Sequence, residues 1–237
     1  VWSNFRVEQV MQAGSLTMLR SGLHWMVSLL SAGWIAKPPR SLFDTTPLHR
    51  LLARVVPLEQ IPAQIAAGRL RALAVATTSY TTGQAVAFFD GTSDIQDWHR
   101  VRRAGHRRHI DLDVLMASAA IPFIFPASSI DGNHYGDGAM RQLAPLSPAV
   151  HLGANRVLVI GTRGNAAATP PTGATSQAPP SPAHLLGFVL DSLFTDGLSI
   201  DLERLNQINR LSVAAGHTEH RPIRATVIQP SVDPTVV

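Results

Sequence analysis

Met116-Ala117-Ser118-Ala119-Ala120-Ile121-Pro122-Phe123-Ile124-Phe125-Pro126, followed a short way on by Gly136-Asp137-Gly138-Ala139, is the stretch on which the reading of this chain turns. Its first half is a run of small residues suited to a closely packed helix. Pro122 and Pro126 end that helix, because proline lacks a backbone donor and clashes with the preceding turn. Asp111 or Asp113 suits the N-cap, where a short carboxylate accepts from the free N–H groups of the first turn. The Asp-Gly pair is by itself a turn dipeptide, since an aspartate bonds its own backbone and glycine tolerates the turn geometry. With a glycine on either side, the backbone can bring the Asp137 carboxylate close to a neighbouring turn.

Outward from this stretch the pattern is that of an α/β chain. Pro145 to Leu152 reads as a helix closed by Gly153, and Arg156-Val157-Leu158-Val159-Ile160-Gly161 as a buried strand. A helix followed promptly by a buried strand is the rhythm of a parallel or mixed sheet. Upstream, Leu70 to Thr77 is apolar on both faces and suits a strand covered on both sides. Ala85 to Phe89 reads as its neighbour, ended by the turn Asp90-Gly91. Thr46-Pro47 opens a helix to about Val55, with Thr as cap and Pro at the first position. A short helix from Leu58 to Ala67 stops at Gly68. Ala183 to Val213 reads as helical with a break at Asp196-Gly197, and Ile223 to Ile228 as a last strand. There is no internal repeat.

The small-residue helix, the proline-bounded apolar turn and the Asp-Gly-Ala loop, in this order, resemble the patatin-like phospholipase family. The resemblance covers about Leu70 to Thr162 and includes the strand Ala72 to Thr77. It implies a three-layer α/β/α fold with a mostly parallel central sheet. It also implies lipid acyl hydrolysis by a serine on a G-x-S-x-G elbow, with an aspartate as its only partner. By position that aspartate is Asp137, in a motif completed by Gly136, Gly138 and Ala139. The chemistry needs such a partner, because a serine hydroxyl is a weak nucleophile until a base removes its proton. A carboxylate serves when partial burial raises its pKa. The resemblance implies no metal and no organic cofactor, and a lipid or other acyl ester as substrate.

One part of the family pattern is missing. No G-x-S-x-G occurs among the 237 residues, and neither does the family's glycine-rich oxyanion loop. In the family both precede the Asp motif, ahead of a helical region like residues 1–36. The expectation is therefore the C-terminal part of such an enzyme, incomplete at its N-terminal side and inactive alone. Its opening, Val1-Trp2-Ser3-Asn4, carries no initiator Met and no signal-peptide pattern. An incomplete sheet would leave an edge open and promote association. Ser118 sits among alanines and suits helix packing, while Ser128 and Ser129 have no glycine-framed elbow. Asp131, His134 and Asp137 have metal-ligand residue types, but an expected loop gives them no fixed ligand geometry, so no metal site is expected. His99 reads as a surface partner of Asp97, and His106 and His109 show no carboxylate partner.

Composition sets the remaining bounds. The chain is 45% hydrophobic, enough for a substantial core. It has no cysteine, which excludes disulfides and thiolate metal sites. A formal charge of +4 accompanies a pI near 10.6, because Lys37 is the only lysine and arginine does not titrate in the ordinary range. This Arg- and Ala-rich usage reflects genomic base composition and fits a bacterial source. The longest apolar piece, Leu23 to Ala36, is interrupted by His24, Ser28, Ser31 and Gly33, short of the roughly 18–20 residues that span a bilayer. The expected setting is the cytoplasm or a membrane surface. Residues 1–36 read as helical, either a pair packed on the core or, with Trp25 and Trp34, a lid-like interfacial segment. The basic run His99 to His109 reads as a solvated loop, and without interleaved aromatics nucleic acid is not an expected partner. The expected domains are 1–163 (its residues 1–46 helical and lid-like), a linker or loop at 164–182, rich in Ala, Pro, Thr and Ser, and a helical segment with a final strand at 183–237. The alternative to the enzyme is a non-catalytic lipid- or membrane-associating domain of the same fold. It rests on the missing nucleophile, the apolar segment 23–36 and the arginine-rich run.

Overall fold

The structure, a computed structural model, describes residues 41, 43–161, 179, 181, 185, 187–189, 197–214 and 222–230. The readings of residues 1–36 and of all the 164–182 segment except 179 and 181 lie outside the described residues. The chain divides into two compact units between Gln142 and Leu143.

The first unit opens with α1 (Thr46–Val55), a 3-10 turn (Leu58–Gln60) and α2 (Ile61–Ala66). Then come β1 (Ala72–Ser79), β2 (Ala85–Gly91), β3 (Trp98–Arg100) and β4 (Arg103–Arg107). It closes with α3 (Leu112–Ser118), β5 (Ser128–Ile130), β6 (Asn133–Asp137) and a second 3-10 turn, Gly138–Arg141. The strands form one six-stranded sheet in the order β3-β4-β2-β1-β6-β5. The α/β class is as expected. The mostly parallel sheet is not: only β2 and β4 pair in parallel, and every other pairing is antiparallel. The reason lies in the connections. β1–β2, β3–β4 and β5–β6 are joined by short turns, which can link only antiparallel neighbours, whereas a parallel pair needs a crossover of about a dozen residues or more.

On one face of the sheet Val86 and Phe88 of β2 meet Val114 and Ala117 of α3, with Ile61, Ile110 and Ile130 closing the core. Val114 and Ala117 lie three apart and so share one side of the helix. The expected cap is present, since the Asp111 carboxylate accepts from the Val114 N–H at 3.0 Å. At α1 the capping differs from expectation: Thr45 holds the cap position and gives no side-chain bond. The Asp44 carboxylate instead accepts from the Thr46 N–H and hydroxyl, at 2.9 and 2.6 Å. β2 also runs on through Asp90 and Gly91 rather than turning there.

The basic run is not a loop but the edge hairpin β3–β4. Trp98 is buried, stacked on Phe89 at 5.0 Å between ring centroids. Opposite it stands Gly105, where a Cβ would lie 2.1 Å from the indole. The Arg107 guanidinium lies 5.2 Å from the Phe89 ring centre and donates to the carbonyls of Gly91, Thr92 and Ile95. That arginine fastens the 91–95 segment to the sheet and is not available as free surface charge.

The second unit contains α4 (Ser147–His151), β7 (Arg156–Ile160), α5 (Leu198–Ala214) and β8 (Arg224–Ile228). β7 and β8 pair in parallel, from Arg156 opposite Arg224 to Ile160 opposite Ile228. Leu146, Leu198 and Leu205 form its core, with Val157, Val159 and Ala225 packed against them. Asn209 of α5 accepts from the Ile223 N–H and donates to its carbonyl, at 3.0 and 2.8 Å, tying the entry of β8 to the helix. The expectation that β7 is buried fails. Its residues alternate, so Val157 and Val159 join the core while Leu158 and Ile160 are 61% and 75% exposed.

Candidate active site

The motif aspartate ends β6. Gly136 pairs with Thr78 and Asp137 with Thr77 in the antiparallel ladder to β1. The Asp137 N–H donates to the Ala120 carbonyl just past α3, at 3.0 Å. The Thr78 hydroxyl donates to the Asp137 carbonyl at 2.8 Å. The Asp137 backbone is therefore held from two sides before its side chain is considered. Its carboxylate accepts from the Ala139 N–H at 2.8 Å, which caps the 3-10 turn and fixes the side-chain direction.

The flanking glycines are required by contact. A Cβ on Gly138 would stand 2.3 Å from the Ala76 carbonyl oxygen, and one on Gly136 would stand 2.4 Å from the Tyr80 hydroxyl. Both glycines are buried, Asp137 is half-buried and Ala139 is exposed. Gly138 thus lets the turn lie directly on β1, bringing the carboxylate against the sheet.

Burial pushes the Asp137 carboxyl above its ordinary pKa, opposed in part by the Ala139 N–H, which favours the charged form. Among the described residues no salt bridge to Asp137 is found. A half-buried carboxylate with raised proton affinity, and no ion pair among the described residues, is suited to accept and return a proton.

The other sequence candidates do not converge on this point. Asp131 lies in the β5–β6 turn and pairs with Arg108, which also bonds Asp111. His134 is exposed on β6. Among the described residues no group of three His, Asp or Glu is placed to hold a metal ion. The Asp97 partner is not His99 but His106, at 3.3 Å, and His99 instead packs edge-on against the His106 ring. His109 also has a carboxylate, Asp90 at 3.1 Å. The expectation that His106 and His109 lack such partners is corrected, because the hairpin and the extension of β2 bring Asp97 and Asp90 beside them. Ser128 and Ser129 lie on the edge strand β5, and Ser118 ends α3.

Three contributors to the site escape a sequence reading: the Ala120 carbonyl, the Thr78 hydroxyl and the Tyr80 ring. A signal for Thr78 was present. Thr77, Thr78 and Ser79 form a polar run, all buried, at the end of an otherwise apolar strand. Nothing in the sequence marks Ala120 or Tyr80.

The sequence fixes the family: residues 2–150 match the model of the patatin-like phospholipases, well over half of the chain, and the chain belongs to that family. Membership carries lipid acyl hydrolysis as the class of activity and lipids as the class of substrate. The comparison with curated proteins found no match. Among the described residues no helix is long and apolar enough to cross a membrane.

Proposed function

We propose that Asp137 is the general base of a Ser–Asp dyad that hydrolyses acyl esters of lipids. The 237 residues hold no G-x-S-x-G, the elbow on which the family carries that serine. Asp137 takes the serine proton as the oxygen attacks the ester carbonyl, and returns it to the leaving alkoxide as the acyl–oxygen bond breaks. Water then attacks the acyl-serine, again giving its proton to Asp137, and the proton passes back to the serine as the fatty acid leaves. The observation that carries this reading is the carboxylate itself. It is half-buried, held by the Ala139 N–H, and its proton affinity is raised by burial. Hydrolysis of a phospholipid and of a p-nitrophenyl ester by the natural polypeptide tests it. Asp137→Asn keeps the hydrogen-bond acceptor but not the base, and is expected to lower kcat by about 10²–10⁴-fold. Unchanged turnover in that variant would remove Asp137 from the mechanism.

A second reading, a non-catalytic lipid-associating domain, is favoured by one observation. The tip of the β3–β4 hairpin exposes Val101 at 90% between Arg100 and Arg102, both also exposed. Binding to anionic vesicles by a natural polypeptide that hydrolyses none of their lipids would support it over the enzyme.

A further inference from the structure

Tyr80 follows β1 directly, and its N–H donates to the His134 carbonyl at 3.0 Å, which extends the ladder to β6 by one more bond. The hydroxyl end of its ring lies against Gly136 of the aspartate motif. A Cβ on Gly136 would be 2.4 Å from the Tyr80 hydroxyl, 2.7 Å from Cζ and 2.8 Å from Cε2. Such separations are far inside van der Waals contact, so the ring occupies the space that any side chain at position 136 would need. At its far end the hydroxyl meets Met140 Sδ at 3.9 Å. The hydroxyl end thus lies between Gly136, the residue before Asp137, and Met140, the third residue after it.

We infer that Tyr80 is a positioning residue of the Asp137 site: its side chain, seated on Gly136, fixes the path of the motif strand beside the carboxylate. The inference rests on the reading of Asp137 as the base. Two further observations support it. Burial raises the Tyr80 phenol pKa, and the nearby Asp137 charge adds to that rise. Tyr80 is nevertheless 46% exposed, so part of the residue stands open to an arriving ligand. The hydroxyl finds only a thioether among the described residues, a weak acceptor. The role is therefore one of packing rather than of hydrogen bonding. Gly136 belongs to the same device, since its missing side chain is the seat of the ring.

The test is a carboxyl titration of Asp137, followed by carbon NMR in the purified chain with the shifts of the Phe89 core as the check of fold. Tyr80→Phe keeps the ring and is expected to leave the titration in place. Tyr80→Ala and Gly136→Ala remove or displace the ring, and each is expected to shift the Asp137 midpoint downward, toward the ordinary carboxylate range. An unmoved midpoint in folded Tyr80→Ala overturns the inference, as does a shift in Tyr80→Phe equal to that in Tyr80→Ala. Should Tyr80→Ala fail to fold, Tyr80→Leu is read by the same two criteria. The titration needs no turnover. Absent hydrolysis by the natural polypeptide, with the shifts as expected, would sink the hydrolase reading and spare the placement of Tyr80. Normal hydrolysis with unmoved midpoints would do the reverse.

Discussion

Gly138→Ala is the substitution that probes the site most sharply without touching a chemical group. The added Cβ would fall 2.3 Å from the Ala76 carbonyl oxygen, 2.6 Å from its carbonyl carbon and 2.9 Å from its Cβ. Ordinary contact begins at 3.4 Å, so the nearest of these is short by about 1 Å. Those are mainly backbone atoms in the middle of a sheet, and they cannot swing aside as the end of a long side chain can. Either β1 bends or the 138–141 turn lifts away, at a cost of about 1–3 kcal/mol. Each kcal/mol lowers the melting temperature by roughly 2–4 °C in a chain of this size. Because Asp137 is adjacent and bonded to the same turn, its carboxylate moves too, and a misplacement near 1 Å costs about a hundredfold in rate. Gly83→Ala is the control. Gly83 has φ +65° with nothing within 4 Å of its Cβ position, so alanine there meets only the left-handed backbone penalty of about 1–2 kcal/mol. Both variants should melt lower, but only Gly138→Ala should move the Asp137 carboxyl resonance and depress kcat/KM. A Gly138→Ala protein with wild-type melting and wild-type turnover would refute the account of how this turn is seated.

Three other outcomes follow from the same geometry. Asp137→Asn keeps an acceptor for the Ala139 N–H and never carries charge. The folded-state pKa of Asp137 is raised, so its favourable contribution is complete at pH below the unfolded value and fades as pH rises through the folded value. The variant should therefore melt like wild type in acid and above it at neutral pH, as differential scanning calorimetry across pH would record. Asp111→Ala removes the cap on the Val114 N–H and should cost about 1 kcal/mol in urea melts, with Asp111→Asn recovering most of it. Phe89→Ala empties a fully buried site beneath Trp98 and should cost about 3–5 kcal/mol, with a red shift of tryptophan emission if the indole is exposed.

The parts legible in the sequence were those written in short-range chemistry. Asp111 declares a helix start, Gly68 and Gly153 lie just past their helices with positive φ, and Gly136-Asp137-Gly138 declares a turn that must lie close to something. What that something is, β1 at Ala76, is a long-range fact, and no local pattern contains it. The antiparallel character of the sheet is not legible in the sequence, because direction depends on how strands are joined, and the apolar runs of β1 and β7 look alike from inside the chain. The β3–β4 hairpin was hidden by its arginines and histidines. Its readable sign was Trp98 with Gly105, a large ring and a residue with no side chain that face each other across the hairpin. In β7 five apolar-rich residues suggested burial on both faces, while only Val157 and Val159 reach the core formed with α5. The pairing of His106 with Asp97 and of His109 with Asp90 follows from that hairpin and from β2 running two residues longer than its turn dipeptide implied.

The central claim is that Asp137 serves a serine nucleophile, and it is tested most directly by fluorophosphonate labelling of the polypeptide as its natural host makes it, read by intact mass. The account predicts a single adduct, on a serine, formed in the wild type and lost or slowed by orders of magnitude in Asp137→Asn. No adduct in the wild type, or an adduct that forms equally fast in Asp137→Asn, would contradict it.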